Sequence, residues 1–236
     1  MNDSIQIITY LVNKYETSGK GPGAVSSGYG DIGGISYGKS QFSSAVGVVD
    51  EFVKWLCQYP LPQLANYGKE LNKYTVNSPE FINLWKQIGN IDPGNFEKLQ
   101  DEFSVNQYYY PIIQRLKAKY FNINKHSYAM QSVIYARTIQ NGITGCMKLI
   151  EFVNENIFEY PNLSYIDAKY FDYDLISEIY NFLVDECDSV YYDNTLGYYR
   201  STYNFCHAYN LNVIDGLRNR FSNEKNDALW MLKQYN

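Results

Sequence analysis

The sequence predicts a mainly α (α+β) fold with one small β element near the N-terminus. Three observations carry this. Apolar residues recur at helical spacing through most of the chain. Residues 17–45 break that pattern with a Gly- and Ser-rich stretch. The 236 residues are 45% hydrophobic and 19% charged, an ordinary globular composition that supports a sizeable core.

A helix is predicted over residues 3–16. Asp3 is a candidate cap with Gln6 as its capping-box partner, and Ile5, Ile8, Leu11, Val12 and Tyr15 share one face. Gly19, Gly21, Pro22 and Gly23 end it. The stretch 17–45 then reads as an irregular β-hairpin region at about 24–40, with tight turns. Val46 to Tyr59 gives a helix that Pro60 and Pro62 stop. Ser78-Pro79 and Asp92-Pro93 each place a cap before a first-turn proline and start two more. Residues 126–141, 144–157, 172–187 and 201–234 are read as helical, and the Tyr- and Asp-rich stretch 160–174 as a connecting loop. The whole chain, 1–236, is expected to be one catalytic domain, with an N-terminal helix and β region (1–45) and a helical remainder (46–236).

Composition excludes several classes. The formal charge of −5 argues against a nucleic-acid binder. No window approaches the length of apolar residues needed for a spanning helix, so membrane insertion is not expected. The N-terminus lacks the basic and apolar regions of a secretory signal, which predicts synthesis in the cytoplasm and delivery by another agent. Cys57, Cys146, Cys187 and Cys206 contain no CxxC and read as small buried hydrophobes of a reducing cytosol. No metal or cofactor is expected. Tyrosine is abundant, 25 of 236. Its apolar ring and polar tip suit a wet saccharide groove. An AT-rich genome and plain core packing explain the abundance better.

Gly28-Tyr29-Gly30-Asp31-Ile32-Gly33 matches G-x-G-x-x-G, but no strand precedes it and no helix follows directly, so a nucleotide site is rejected. His126 and His207 stand far apart and read as structural. The informative pair is Glu16 and Asp31, the only acidic residues between Asp3 and Asp50. Glycoside hydrolysis needs one protonated carboxyl to donate to the leaving oxygen and one ionised carboxylate to activate water or support the cationic transition state. A helix C-terminus disfavours ionising Glu16, whereas backbone N–H groups of a turn favour the Asp31 anion. From spacing alone, Glu16 as a surface residue and Asp31 as a turn former is the better account.

Tyr15-Glu16-Thr17-Ser18-Gly19, Gly21-Pro22-Gly23-Ala24-Val25-Ser26-Ser27-Gly28, Gly30-Asp31-Ile32-Gly33-Gly34-Ile35-Ser36-Tyr37-Gly38 and Gln41-Phe42-Ser43-Ser44 together resemble the lysozyme-like, chitosanase-related peptidoglycan hydrolase domains of phage and prophage lysins and of some type VI secretion spike proteins. Thr17 stands where Ser is usual. Weaker likeness continues through Phe81, Trp85, Pro93, Phe96, Gln100, Phe103 and Tyr110-Pro111, then Ser132 with Gln140-Asn141-Gly142, and Arg220 with Glu224. Asn141 replaces a usual His.

The resemblance implies a lysozyme-like fold of two lobes around a saccharide cleft. It assigns Glu16 as general acid and Asp31 as second carboxylate. Ser36, Tyr37 and Gln41 would line the cleft floor, with Gln140 a further substrate-binding candidate. The implied activity is cleavage of peptidoglycan glycan strands, as a muramidase of the endolysin or bacteriolytic-effector kind, by inversion if it follows the chitosanases. The implied delivery partner is a holin, phage tail or secretion spike. A chitosanase, a lytic transglycosylase using Glu16 alone, and a non-catalytic wall-binding or tail-structural module are the alternatives.

Overall fold

The computed structural model describes residues 3–15, 21–27 and 34–235. Glu16 and Asp31 both lie outside the described residues. The chain forms two compact units, one of Met1–Tyr15 with Tyr108–Asn236 and one of Glu16–Gln107. The chain passes between the units at Tyr15–Glu16 and again at Gln107–Tyr108, within a π-helical segment, Val105–Tyr109.

In the unit Glu16–Gln107, a two-residue hairpin pairs β1 (Ser36–Tyr37) with β2 (Phe42–Ser43), Tyr37 opposite Phe42, and Val25 bridges to Tyr37. This is the expected small antiparallel element. Four helices follow: α3 (Val48–Cys57), α4 (Pro62–Leu71), α5 (Pro79–Ile91) and α6 (Pro93–Ser104). The caps are as predicted: Ser78 Oγ accepts from Phe81 N at 3.2 Å and Asp92 Oδ1 from Asn95 N at 3.3 Å. Pro62 corrects the reading made of it. It occupies the first turn of α4, where no N–H is missed, so it opens a helix as well as closing one off.

The core of this unit is aromatic. Phe52 touches the rings of Phe42, Trp55, Trp85, Phe96 and Phe103 at 5.3–6.0 Å. Each such ring removed from water contributes about 1.5–3 kcal/mol.

In the other unit, α1 (Asp3–Ile8) and α2 (Tyr10–Tyr15) together form the predicted first helix, with Thr9 N donating to Ile5 O and Asn13 N to Thr9 O across the joint. Both pack on α8 (Tyr128–Phe152), as do α7 (Tyr110–Ala118), α9 (Asp172–Asp188) and α10 (Leu211–Gln234). Residues 129–138 of α8 are buried almost without interruption, as befits a helix surrounded on all sides. Gly142, at φ 69° and ψ 168°, kinks α8 between the two helical stretches predicted there, in a conformation that costs a residue bearing a Cβ.

Three expectations need correction here. Residues 201–210, read as the start of the last helix, are not helical: β3 (Tyr191–Asp193), β4 (Tyr198–Arg200) and β5 (His207–Ala208) form an antiparallel sheet in that order, and α10 begins only at Leu211. The stretch 160–174 holds short 3₁₀ turns, Leu163–Ile166 and Lys169–Phe171, before α9 starts at Asp172. Cys187 and Cys206 are joined in a disulfide, their Cα atoms 5.6 Å apart, because the sheet returns the chain to the end of α9. Only Cys146 fits the buried-hydrophobe reading fully, Cys57 being half-buried. Among the described residues no helix is long and apolar enough to cross a membrane.

The Gly-Pro-Gly turn is clamped in its own unit. Pro22 O accepts from Trp85 Nε1 at 3.0 Å and from Gln100 Nε2 at 2.9 Å. Gly23 lies so close to Gly89 of α5 that a Cβ on Gly89 would sit 2.3 Å from Gly23 Cα. Gly89→Ala must therefore push backbone against backbone. We expect a loss of about 1–3 kcal/mol, read as a lower urea midpoint with unchanged m-value.

Candidate active site

Each element that flanks the predicted carboxylates has a distinct anchor. Tyr15 ends α2, one residue before Glu16. Its hydroxyl donates to Asp227 Oδ2 of α10 at 2.5 Å, and Lys14 Nζ pairs with the same oxygen at 2.6 Å. Three residues earlier on α10, Glu224 is fully buried. It receives Arg137 Nη2 from α8, Arg220 Nε at 2.6 Å and the Tyr180 hydroxyl at 2.9 Å. The Arg137 guanidinium, also buried, lies over the rings of Tyr180 and Phe221 at 5.4 and 5.1 Å. Its Nη1 donates to Gln140 Oε1. Two guanidinium groups thus share one buried carboxylate, Arg137 fully buried beside it and Arg220 partly exposed, and the pairing must offset a large desolvation cost.

Of the substrate-binding candidates, Gln140 is half-buried and held by Arg137. Ser36 is half-buried in β1, its N–H donating to Ser26 Oγ at 2.8 Å. Gln41, at φ 53°, turns the hairpin and donates from Nε2 to Gly38 O at 2.7 Å. Tyr37 departs from its expected role. Its side chain has no exposure, its ring packs edge-on against Phe81 and Trp85 at 5.5 and 5.2 Å, and its hydroxyl donates to Asn77 Oδ1 at 3.1 Å. A ring enclosed on every side offers no face to a sugar, so Tyr37 is a core residue that fixes the hairpin.

Lys39 is the residue of this hairpin that sequence reasoning passed over. It is buried, yet its Nζ pairs with Glu97 at 2.7 Å and Asp101 at 2.9 Å, and its N–H donates to Gln100 Oε1 at 3.1 Å. Glu97, Gln100 and Asp101 are one turn of α6, so the hairpin tip docks on a single helical patch. Arg137 was also missed. Its signal was a lone charge within the apolar run Val133–Thr138, which demands a buried partner. Among the described residues no group of three or more His, Cys, Asp or Glu side chains is gathered closely enough to hold a metal ion.

Burial raises the Tyr15 hydroxyl pKa above its ordinary value, and the Asp227 carboxylate adds to this. Burial also raises Tyr180, Tyr37 and Tyr109, with Glu224 reinforcing Tyr180. These phenols stay protonated and act as donors.

Known proteins were compared with the chain. A family model described as "Type VI secretion system spike protein VgrG3-like, C-terminal" matches residues 9–225. The type VI secretion system spike protein VgrG3 of Vibrio cholerae serotype O1 is 30% identical over 129 residues, 55% of this chain and 12% of that protein, so the chain spans a small part of its relative. Among solved structures, a native chitosanase from Bacillus subtilis MY002 superposes with a TM-score of 0.54 at 18% identity, covering 99% of this chain and 89% of that one. The GH46 chitosanase of Gynuella sunshinyii in complex with chitotetraose gives 0.53 at 14% identity, covering 98% and 87%. At these identities the likeness establishes the fold, a chitosanase and lysozyme-like one.

Two outcomes follow for stability. Glu224→Ala leaves the buried Arg137 guanidinium without its carboxylate and should cost about 3–5 kcal/mol in chemical denaturation. The raised phenols contribute stability that is complete below their unfolded pKa of about 10 and is lost as pH rises through their folded values. The melting temperature should fall between about pH 9 and pH 11, and fall less in Tyr180→Phe, which has no proton to lose.

Proposed function

Because the chain belongs to the family of C-terminal domains of VgrG3-like type VI secretion spike proteins, we propose that it is a glycosidase that cuts the glycan strand of bacterial peptidoglycan. The observation that carries this is the ordered pattern over residues 15–44, which supplies the carboxyl groups of Glu16 and Asp31; of the described residues in that stretch, Tyr15 is tied to Asp227 and Pro22 to Trp85 and Gln100. A glycosidase needs its two carboxyls held to within a fraction of an ångström of their working geometry, and anchors of this kind serve that need.

In this reading Glu16 is the general acid. It gives its proton to the glycosidic oxygen as the C–O bond breaks. Asp31 stays ionised and takes a proton from the attacking water on the opposite face of the sugar, or stabilises the oxocarbenium-like transition state. Inversion requires a separation of about 6.5–9.5 Å between the carboxyls to admit that water. Ser36, Gln41 and Gln140 are the polar groups assigned to sugar hydroxyls.

Chitosan is the second substrate to weigh, because both solved structures of like fold are chitosanases by name. Two facts favour the cell wall. The matching relative is a secretion spike protein, which suits delivery across an envelope. The Cys187–Cys206 disulfide suits an oxidising compartment such as the periplasm, where peptidoglycan lies, rather than the reducing cytosol inferred from cysteine spacing.

Purified sacculi and chitosan are the two test substrates, with new reducing ends as the readout. The expected result is release from sacculi, lowered about 10²- to 10⁴-fold by Glu16→Gln with circular dichroism and melting unchanged. Asp31→Asn should also lower it, and mass spectra should show hydrated rather than anhydro ends. Wild-type rates in both variants would end the assignment. Activity on chitosan alone would move the substrate.

A further inference from the structure

Residues 191–209 hold six of the 25 tyrosines, none of them assigned a role so far. The register of the sheet sorts them. Tyr191 pairs with Arg200, and Arg200 with His207, so these three share one face. Asp193 and Tyr198 lie on it by alternation. Tyr209 joins them, its ring 6.0 Å from that of Tyr198 and set edge-on. The outer rings are open to solvent: Tyr191 is 45% exposed and Tyr209 77%.

We propose that this face is an accessory glycan-binding surface, taking the pyranose rings of a cell-wall glycan strand in addition to the site of cleavage. The ligand class rests on the cell-wall reading above; the surface itself rests on its own geometry.

Four features argue for a saccharide. A pyranose presents a face of C–H bonds, weakly positive, that stacks on the negative face of an aromatic ring. The strand positions of this face carry aromatic and polar side chains and no aliphatic one, so ring stacking and hydrogen bonding are what it offers. Its charges are already matched, Arg200 Nε pairing with Asp193 at 2.7 Å and the guanidinium lying 5.4 Å over Tyr191, so hydrogen-bonding groups remain without a net field to draw an ionic partner. Its area is small. A fully buried tyrosine covers about 150–250 Å², and three partly covered ones fall well short of the roughly 800 Å² a side of a stable protein complex.

The platform is also rigid before any ligand arrives, which lowers the entropy cost of binding. The Cys187–Cys206 disulfide ties its root to α9. Beside it the buried Glu186 carboxylate accepts from the Ser201 hydroxyl and from Tyr203 N and Phe205 N at 3.2 and 3.3 Å. At the far end Asp193 Oδ1 accepts from Thr195 N and Leu196 N, closing the turn.

The test compares wild type, Tyr191→Ser/Tyr209→Ser and Tyr191→Phe/Tyr209→Phe. Three quantities are measured: the dissociation constant for purified sacculi by co-sedimentation on ice, the rate on short soluble glycan fragments, and the melting temperature. The serine pair should weaken binding to sacculi about tenfold. It should leave melting and the soluble-fragment rate unchanged. The phenylalanine pair, which keeps both rings, should bind within about twofold of wild type. Unchanged binding in the serine pair overturns the proposal while leaving the glycosidase reading intact. An equal loss on soluble fragments would make the rings part of the cleavage site and overturn the accessory role. A wild type that neither binds nor cuts sacculi would remove the ligand itself, and with it the cell-wall reading.

Discussion

Glu224 is the carboxylate on which the larger unit depends. It sits without solvent between Arg137 of α8 and Arg220 of its own helix and takes the Tyr180 hydroxyl of α9 as well, so one side chain binds three helices at a point where water cannot help. Such a group is costly to bury and very costly to leave unmatched. That asymmetry makes the arrangement selective. Few alternative packings of α8, α9 and α10 would satisfy all four polar groups at once. One turn further along α10, Asp227 extends the same polar face to Tyr15 and so to the end of α2.

The smaller unit solves a different problem with different means. Its glycine-rich segment has little apolar surface of its own. It is held through backbone groups: Pro22 O by Trp85 and Gln100, Lys39 N by Gln100, and Ser36 N by Ser26. Gln100 uses both ends of its amide, one on each strand of the turn region, and is fully buried doing so. The result is a stretch of irregular chain tied to two aromatic-rich helices. Irregular backbone held in this way gains the precision that a regular element would otherwise supply.

Much of this was legible in the residues. Ser78-Pro79 and Asp92-Pro93 declared their helices because a cap and a first-turn proline are local chemistry. Gly142 marked the break in α8 for the same reason. What stayed hidden was decided by partners far along the chain. Pro62 reads alike as a stop or a start, and only packing against α3 chooses. The tyrosine-rich strands at 191–208 look neither polar nor apolar, so their period is blurred. Cys187 and Cys206 are 19 residues apart, a spacing with no pairing rule. Tyr37 matched a sugar-site pattern, yet the same aromatic body that suits a sugar suits a core. The roles of Glu16 and Asp31 came from the pattern over residues 15–44, since spacing left them open.

The bond from Tyr15 to Asp227 joins positions 212 residues apart. Asp227 is made 212 residues after Tyr15, so the last residue of α2 lacks this partner until that much further chain has been synthesised. Until then α2 can pack on α8 but its terminal tyrosine stays unanchored on α10. Long-range closure of this kind is slow to form. The helix that leads up to Glu16 is thus locked by a closure that waits for α10.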